Sequence, residues 1–143
     1  MIITGAIVST RPNILLVVID CLRADRAFDP DRTAQTPGMQ ALAERGTLFT
    51  HLITANSMTI PCMTTMFSGI YPARHGVRAM VGARVADSVP LLAELLRAGG
   101  YRTYAEATGP LSRFYRLDRG FDQYEYRDGV QSPMLGQWGD DLI

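Results

Sequence analysis

Lysine is absent from this 143-residue sequence, and all fourteen basic residues are arginine. The absence excludes lysine-dependent chemistry, such as a Walker-type phosphate-binding loop or a Schiff base. An arginine-only composition is typical of GC-rich codon usage and carries no functional interpretation here. Fourteen acidic residues balance the arginines, so the formal net charge is zero. A balanced charge provides no electrostatic case for binding nucleic acid or a membrane surface.

Cysteines and long apolar runs are also scarce. Cys21 and Cys62 are the two cysteines, too few for a disulfide scaffold or a cysteine zinc site. No apolar run reaches the ~18–20 residues that span a bilayer. The first thirteen residues lack the charged leader and the cleavage site of a signal peptide. We therefore expect no transmembrane segment and a cytoplasmic location.

The sequence does contain strand-like segments that alternate with helices. Residues 14–19 are a continuous run of β-branched and aliphatic side chains, typical of a strand that is buried on both faces of a parallel sheet. Turn and capping residues predict three helices. The first opens at Thr36 and Pro37 and ends at Gly46, the second has Pro61 in its first turn and ends at Gly69, and the third is capped by residues 88–90 and ends at Gly99. Further strands are predicted over 46–55, 101–108 and 124–126.

This order of elements predicts an α/β fold with helices covering a mostly parallel sheet in three α/β/α layers. The predicted strands are few, so at least one sheet edge is expected to be open. We assign residues 1–127 to a partial α/β domain. Residues 128–143 are interrupted by glycine and proline and show no regular period, so we expect this tail to pack on a partner or to hang loose.

Two positions are candidates for chemistry. Asp20 follows the strand predicted over 14–19, where α/β folds bind ligands, and its carboxylate suits a hard cation. A turn or helix-cap aspartate is the alternative. Thr59 precedes Pro61 near a helix start, where N–H groups and the helix dipole favour a phosphoryl or sulfuryl group. A metal-bound hydroxyl there could attack such a group, whereas an ordinary N-cap threonine is the alternative.

Three further polar residues have both a functional and a structural interpretation. Arg74 and His75 could bind an oxyanion, although a histidine in a loop is commonly a surface or structural residue. Cys62 lies within a predicted helix, where a thiol near the helix start can be reactive. The alternative for Cys62 is a small buried apolar side chain.

Taken in series, five segments resemble the amino-terminal part of the sulfatase family, within the alkaline phosphatase superfamily. They occur in the family's order and cover about residues 12–122. Each segment is weak evidence alone, but the series is specific. The segments are residues 12–26 (PNILLVVIDCLRADR), 36–49 (TPGMQALAERGTLF), 59–77 (TIPCMTTMFSGIYPARHGV), 91–103 (LLAELLRAGGYRT) and 117–122 (LDRGFD).

The resemblance implies an alkaline-phosphatase-like α/β fold, ester hydrolysis and a divalent metal ion, either Ca, Mg, Mn or Zn. In that family the aspartate that closes the first strand binds the metal, which carries over to Asp20. The residue two before the motif proline is the nucleophile and contacts the metal, which carries over to Thr59. The implied substrates are sulfate or phosphate esters, with Arg74 and His75 as candidate substrate-binding residues.

The sequence departs from the family pattern around Thr59. Typical sulfatases have C-x-P-x-R or S-x-P-x-R, in which the first residue is oxidised to formylglycine, and threonine is not a substrate for that maturation. Met63 replaces the motif arginine, Cys62 is out of register, and Cys21 stands where a second aspartate often follows. Relatives with a threonine nucleophile tend to be phosphoesterases or phosphoryl transferases, so the sequence leans towards phosphate esters.

Two functions stay open. In the first, the chain is the amino-terminal portion of a metal-dependent enzyme, either an ester hydrolase or a transferase of phosphoryl or sulfuryl groups. That portion is inactive alone and is completed by another chain or by further sequence. The later His or Asn ligand of the family is missing after residues 140–141. The second is a non-catalytic structural or interaction subunit with a sulfatase-like fold, whose partner covers the open sheet edge. Met63 and Cys21 favour the second, whereas Asp20 and Thr59 favour the first.

Overall fold

The computed structural model describes residues 11–127, and these form two compact units, one ending at Phe49 and the other beginning at Thr50. The predicted tail at 128–143 lies outside the described residues. No helix within 11–127 is long and apolar enough to cross a membrane. The elements are α1 (Ala24–Ala27) and α2 (Pro37–Arg45) in the first unit, and α3 (Thr59–Ser68), α4 (Pro72–His75), α5 (Leu92–Ala98), β1 (Tyr104–Thr108), a 3₁₀ turn (Arg113–Tyr115) and β2 (Gln123–Arg127) in the second.

Helix α2 begins and ends where the sequence predicts. Pro37 is its first residue, a position that needs no N–H, and Gly46 follows its last residue. Thr36 precedes the helix, but its hydroxyl donates a hydrogen bond to the carbonyl of Ala27 at 2.8 Å and caps no helix N–H. Thr36 is thus the N-cap residue of α2, and its hydroxyl joins the start of α2 to the end of α1.

Residues 14–19 form neither a helix nor a strand, so the buried strand predicted there is wrong. Every side chain in the run is exposed, from 42% at Val18 to 88% at Leu15. The strand predicted over 46–55 is also wrong, and its residues 46–54 are exposed. A strand requires a neighbour for its ladder hydrogen bonds. Within the described residues the one ladder joins β1 to β2, so neither run has a strand partner there.

The second unit is organised around a hydrophobic core to which α3 contributes. Ile60 of α3 is completely buried, and Leu91 and Leu117 are each 1% exposed. Burial of such a side chain stabilises a fold by about 1.5–3 kcal/mol. These contacts fix the rotation of α3 about its own axis, since the side that carries Ile60 must face the other core residues. The buried members of the core are Ile60, Met63, Val77, Val85, Val89, Leu91 and Leu117.

Strands β1 and β2 pair in parallel, with Tyr104 opposite Gln123 and Thr108 opposite Arg127. The strands predicted over 101–108 and 124–126 are therefore confirmed, with ends shifted by a few residues. Parallel pairing together with helices is consistent with part of an α/β domain. In the described part of the chain the sheet has two strands, and the full three-layer arrangement stays a prediction.

Helix α5 begins at Leu92, later than the cap predicted over 88–90. Glu94 explains the difference, because its Oε2 accepts a hydrogen bond from the N–H of Leu91 at 2.9 Å and so caps the helix from within. Gly99 follows the last residue, as predicted. Leu91 just before the helix is buried, whereas Leu95 within it is 62% exposed.

The segment over 117–122 forms a turn that is tied to the residue before β1. The N–H of Thr103 donates to Oδ2 of Asp122 at 2.9 Å, and its hydroxyl donates to the carbonyl of Gly120 at 2.7 Å. The Thr103 amide, supported by the hydroxyl, lowers the pKa of the Asp122 carboxyl despite an opposing effect of burial. These hydrogen bonds hold the residue before β1 next to the residues before β2, so that the two strands start side by side.

Candidate active site

Thr59 is the first residue of α3, and its side chain is half-buried. Met58 is the N-cap residue, with extended backbone at φ −113° and ψ 141°, so the N-cap alternative for Thr59 is wrong. The first turn of a helix has N–H groups without partners in the helix and carries the positive end of its dipole. The ten residues of α3 include no charged side chain, so no charge on the helix opposes this field. Thr59 thus lies at the end of the helix where the dipole favours an anionic group.

Asn56 shapes the approach to Thr59, although the sequence did not mark it as functional. Its Oδ1 accepts a hydrogen bond from the N–H of Met58 at 2.9 Å. Its main-chain carbonyl accepts hydrogen bonds from the hydroxyl of Thr54 at 2.8 Å and from the thiol of Cys62 at 2.7 Å. The signal that could have identified it is an asparagine two residues before the N-cap, a position from which Asn bonds its own backbone.

Cys62 is half-buried, and its thiol is within 3.0 Å of the Thr54 hydroxyl as well as bonded to the Asn56 carbonyl. These contacts connect the first turn of α3 to the loop before it. The thiol therefore has a structural role. This is the kind of role given by the alternative of a small buried apolar side chain, except that the atoms around the thiol are polar.

Met63 occupies the position of arginine in the sulfatase pattern. Its side chain is 6% exposed and belongs to the hydrophobic core with Ile60. An arginine at this position would have to bring its charge into apolar surroundings. In this chain the residue serves packing and offers no charge to a substrate.

His75 ends α4 and is 4% exposed. Its Nδ1 accepts a hydrogen bond from the N–H of Val77 at 3.1 Å, and its Nε2 lies 3.0 Å from Oγ1 of Thr65. Because a main-chain N–H can only donate, Nδ1 must carry the lone pair, which assigns the ring proton to Nε2. Burial lowers the pKa of the imidazole below its ordinary value, against smaller upward effects of backbone hydrogen bonds. This geometry supports the structural alternative for His75.

Arg74 precedes this histidine and is exposed. Of the two predicted substrate-binding residues, Arg74 is therefore the one whose surroundings suit contact with an incoming anion.

Asp20 lies in the first unit and is exposed. It is part of a turn in which Cys21 has the left-handed value φ 57°. Helix α1 has Arg23 as its N-cap residue, so Asp20 does not cap that helix. Arg23 instead pairs with Asp25 through two hydrogen bonds of 2.9 and 2.7 Å. The turn alternative for Asp20 agrees with the structure, and a ligand role is compatible with its exposure.

The residues described by the structure do not by themselves make a complete metal site. Within 11–127 there is no group of three or more His, Cys, Asp or Glu side chains that could hold a cation. Asp20 and Thr59 belong to different units. A hard cation such as Ca²⁺ takes roughly six to eight oxygen ligands, so one carboxylate and one hydroxyl do not fit a full shell.

Comparison with known proteins identifies the class. A sequence model of the sulfatase family matches residues 12–138. N-acetylgalactosamine-6-sulfatase of Homo sapiens is 28% identical over 130 residues, which cover 79% of this chain and 25% of that protein. Arylsulfatase H of Canis lupus familiaris is 28% identical over 137 residues (81% and 24%). Steryl-sulfatase of Homo sapiens is 30% identical over 107 residues (66% and 18%). No solved structure shows a significant match to the chain.

The parallel strand pair together with the helices is consistent with part of an α/β domain of the sulfatase type. The chain belongs to the sulfatase family, since the matched residues make up most of its length. This confirms the resemblance found over residues 12–122. Members of the family generally use a divalent metal ion and have an alkaline-phosphatase-like α/β fold. The chain spans about a quarter of the length of the N-acetylgalactosamine-6-sulfatase it matches.

Proposed function

We propose that this chain is the nucleophile-bearing part of a metal-dependent ester hydrolase, with Thr59 as the nucleophile and Asp20 as one ligand of the metal. The observation that carries the proposal is the place of Thr59 as the half-buried first residue of α3, two residues before Pro61, in a chain of the sulfatase family. The chain is inactive until further ligands, from another chain or from residues outside 11–127, complete the shell.

The proposed reaction is a displacement at phosphorus or sulfur. Oγ of Thr59 forms a bond to the central atom while the bond to the ester oxygen breaks, and the hydroxyl proton ends on the departing alcohol. Water then attacks the Thr59 ester, which restores the hydroxyl and releases the inorganic acid. The positive end of α3 stabilises the negative charge of the transferred group throughout. The exposed guanidinium of Arg74 provides a cation for the substrate in addition to the metal ion.

Phosphate esters are the proposed substrate class, although the relatives named above are sulfatases. The reason is the chemistry of residue 59, since a threonine cannot become formylglycine and must attack directly. A direct attack leaves a covalent ester on Thr59 that water or another alcohol has to cleave. Phosphoryl transfer through such an intermediate is a feature of the threonine-type relatives in the wider superfamily.

A metal titration tests the ligand role of Asp20. The purified chain, alone and together with any chain that co-purifies, is titrated calorimetrically with Ca²⁺, Mg²⁺, Mn²⁺ and Zn²⁺. We expect binding in the completed complex and a large loss of affinity in Asp20→Ala. Asp31→Ala is the matched control, since Asp31 is also an exposed carboxylate of the first unit. Absence of binding in both preparations, or binding unchanged by Asp20→Ala, contradicts the metal-dependent function.

Trapping the covalent intermediate tests the nucleophile. The completed complex is incubated with 4-nitrophenyl phosphate or 4-nitrophenyl sulfate and quenched in acid, and the modified peptide is located by mass spectrometry. We expect a phosphoryl group on Thr59, with no label in Thr59→Val, which keeps the shape of the side chain and removes the hydroxyl. Thr47→Val, which alters an exposed threonine of the first unit, should label normally. Label at another residue, or equal label in Thr59→Val, rules out this nucleophile.

A non-catalytic interaction subunit is the second candidate. The observation in its favour is the burial of Met63 in the core, at the position where the family pattern has a charged arginine. The exposed apolar run over 14–19 also suits a surface that another protein covers. Tight association with a partner chain, together with no metal binding and no label on Thr59, would establish this alternative.

A further inference from the structure

His75 connects the helix that carries Thr59 to the hydrophobic core. Its Nε2 contacts Thr65 Oγ1 of α3 at 3.0 Å. A backbone hydrogen bond with Pro61 also acts on the imidazole. Pro61 and Thr65 are four residues apart, hence neighbours on one face of α3. On the other side of the ring, Nδ1 accepts the N–H of Val77, which is 1% exposed and part of the core.

The contact with Val77 requires a neutral ring with its proton on Nε2. A second proton on Nδ1 would point at the N–H of Val77, so a donor would face a donor and the 3.1 Å hydrogen bond would be lost. The cation would also be held in a site that is 4% exposed, where charge is costly. Protonation of Nδ1 therefore removes the hydrogen bond on the core side of the ring and leaves a charge in a buried site, while the Nε2 side that faces Thr65 keeps its proton.

Among the described residues, no acidic group acts on the ring to compensate for that charge. Helix α3 presents the Thr65 hydroxyl and the Pro61 carbonyl, and it has no charged residue along its length. The segment after α4 presents the amide of Val77. The nearest charged residues along the chain are Arg74 and Arg78, both cations and both exposed. Burial is the leading cause of the lowered pKa of His75, and no charged partner contributes to it.

We propose that His75 is a positioning residue for α3: the neutral imidazole holds this helix, and with it Thr59, against the core, and protonation of Nδ1 releases it. The catalytic consequence rests on the proposed function, in which Thr59 is the nucleophile. The proton-dependent attachment of α3 does not depend on it. The expected sign follows from the direction of the pKa change. The stabilising effect is present above the ordinary value of 6.5 and is lost as the pH falls through the lower value of the folded state.

Amide hydrogen exchange in the full chain tests the proposal. Exchange is measured by NMR at pH 7.5 and pH 5.5 and corrected for the intrinsic effect of pH. We expect the amides of α3 to open more often at the lower pH, with about tenfold as the ceiling that the ordinary pKa of 6.5 sets, while those of α5, which has no histidine, change little. His75→Gln keeps a polar side chain that does not titrate, so the pH dependence in α3 should disappear.

Two other variants keep the test decisive if His75→Gln does not fold. Thr65→Val removes the partner of Nε2 but leaves the histidine, so α3 should be less protected already at pH 7.5. His51→Gln removes the other histidine, which is exposed, and should leave the response of α3 intact. The proposal is overturned by pH-independent protection of α3 in the unmodified chain, or by a response that persists in His75→Gln. If α3 shows the expected pH-dependent exchange but Thr59 carries no label, the proposed function alone is contradicted.

Discussion

The backbone of Gly120 is in direct contact with the backbone of Glu94, so that a Cβ on the glycine would overlap the Glu94 nitrogen and lie 2.6 Å from the Glu94 Cα. Gly120 also has a left-handed φ of 86°. The contact places the turn over 117–122 on the first turn of α5. Glycine is required here for two separate reasons, the absence of a side chain and the accessible backbone conformation.

Replacement of Gly120 by alanine should therefore be unusually costly. We expect Gly120→Ala to lower the free energy of unfolding by about 2–4 kcal/mol, because backbone strain and a backbone clash add. Gly69→Ala is the control: Gly69 has φ 68°, but a Cβ added there would have nothing within 4 Å, so only strain of about 1 kcal/mol is expected. Urea unfolding monitored by circular dichroism measures both. Equal losses in the two variants would show that the contact with Glu94 does not matter.

Restoring the arginine of the family pattern at residue 63 should destabilise this chain. Met63→Arg places a charge without a partner among core side chains such as Ile60, so we expect a loss of about 3–5 kcal/mol. Met63→Leu keeps size and polarity and should cost less than about 1.5 kcal/mol. Thermal unfolding distinguishes the two variants. A Met63→Arg protein as stable as Met63→Leu would mean that the side chain reaches solvent.

The hydrogen bond from the Met58 amide to Asn56 Oδ1 should order the loop before Thr59. Asn56→Ala removes the acceptor, and we expect a loss of about 1 kcal/mol together with faster exchange of the Met58 amide. Asn56→Asp retains an acceptor oxygen and should preserve protection of that amide. Exchange measured by NMR at pH 7.5 reports this local change directly. Unchanged protection in Asn56→Ala would show that the loop is held by other contacts.

Stability should fall in acid in part through Asp122. The Thr103 amide lowers the pKa of this carboxyl below the ordinary 3.8. The unfolded chain therefore takes up the proton first as the pH falls, and the contribution to stability is present above 3.8 and lost as the pH passes through the folded-state value. Asp122→Asn should reduce the change in melting temperature between pH 5 and pH 3, whereas Asp31→Asn should not. The same acid response in both variants would exclude this carboxyl as its source.

Local rules explain the features that could be predicted from the sequence. A proline in the first turn and a glycine after the last turn act within a few residues, which is why Pro37, Gly46 and Gly69 mark helix ends correctly. Family membership also follows from motifs in series along the chain, whereas the roles of Asp20 and Thr59 stay predictions. These signals require no knowledge of which distant residues meet.

Burial and hydrogen-bond partners, in contrast, were decided by the tertiary structure. The run over 14–19 has strand-like side chains, but a ladder needs a second strand, which a single segment does not specify. The neutral state of His75 depends on its burial and on the amide of Val77. The sequence by itself thus determined the family and the order of α2, α3 and α5, but not α1 and α4. Tertiary structure alone decided which side chains are enclosed, because enclosure depends on contacts between residues far apart in the chain.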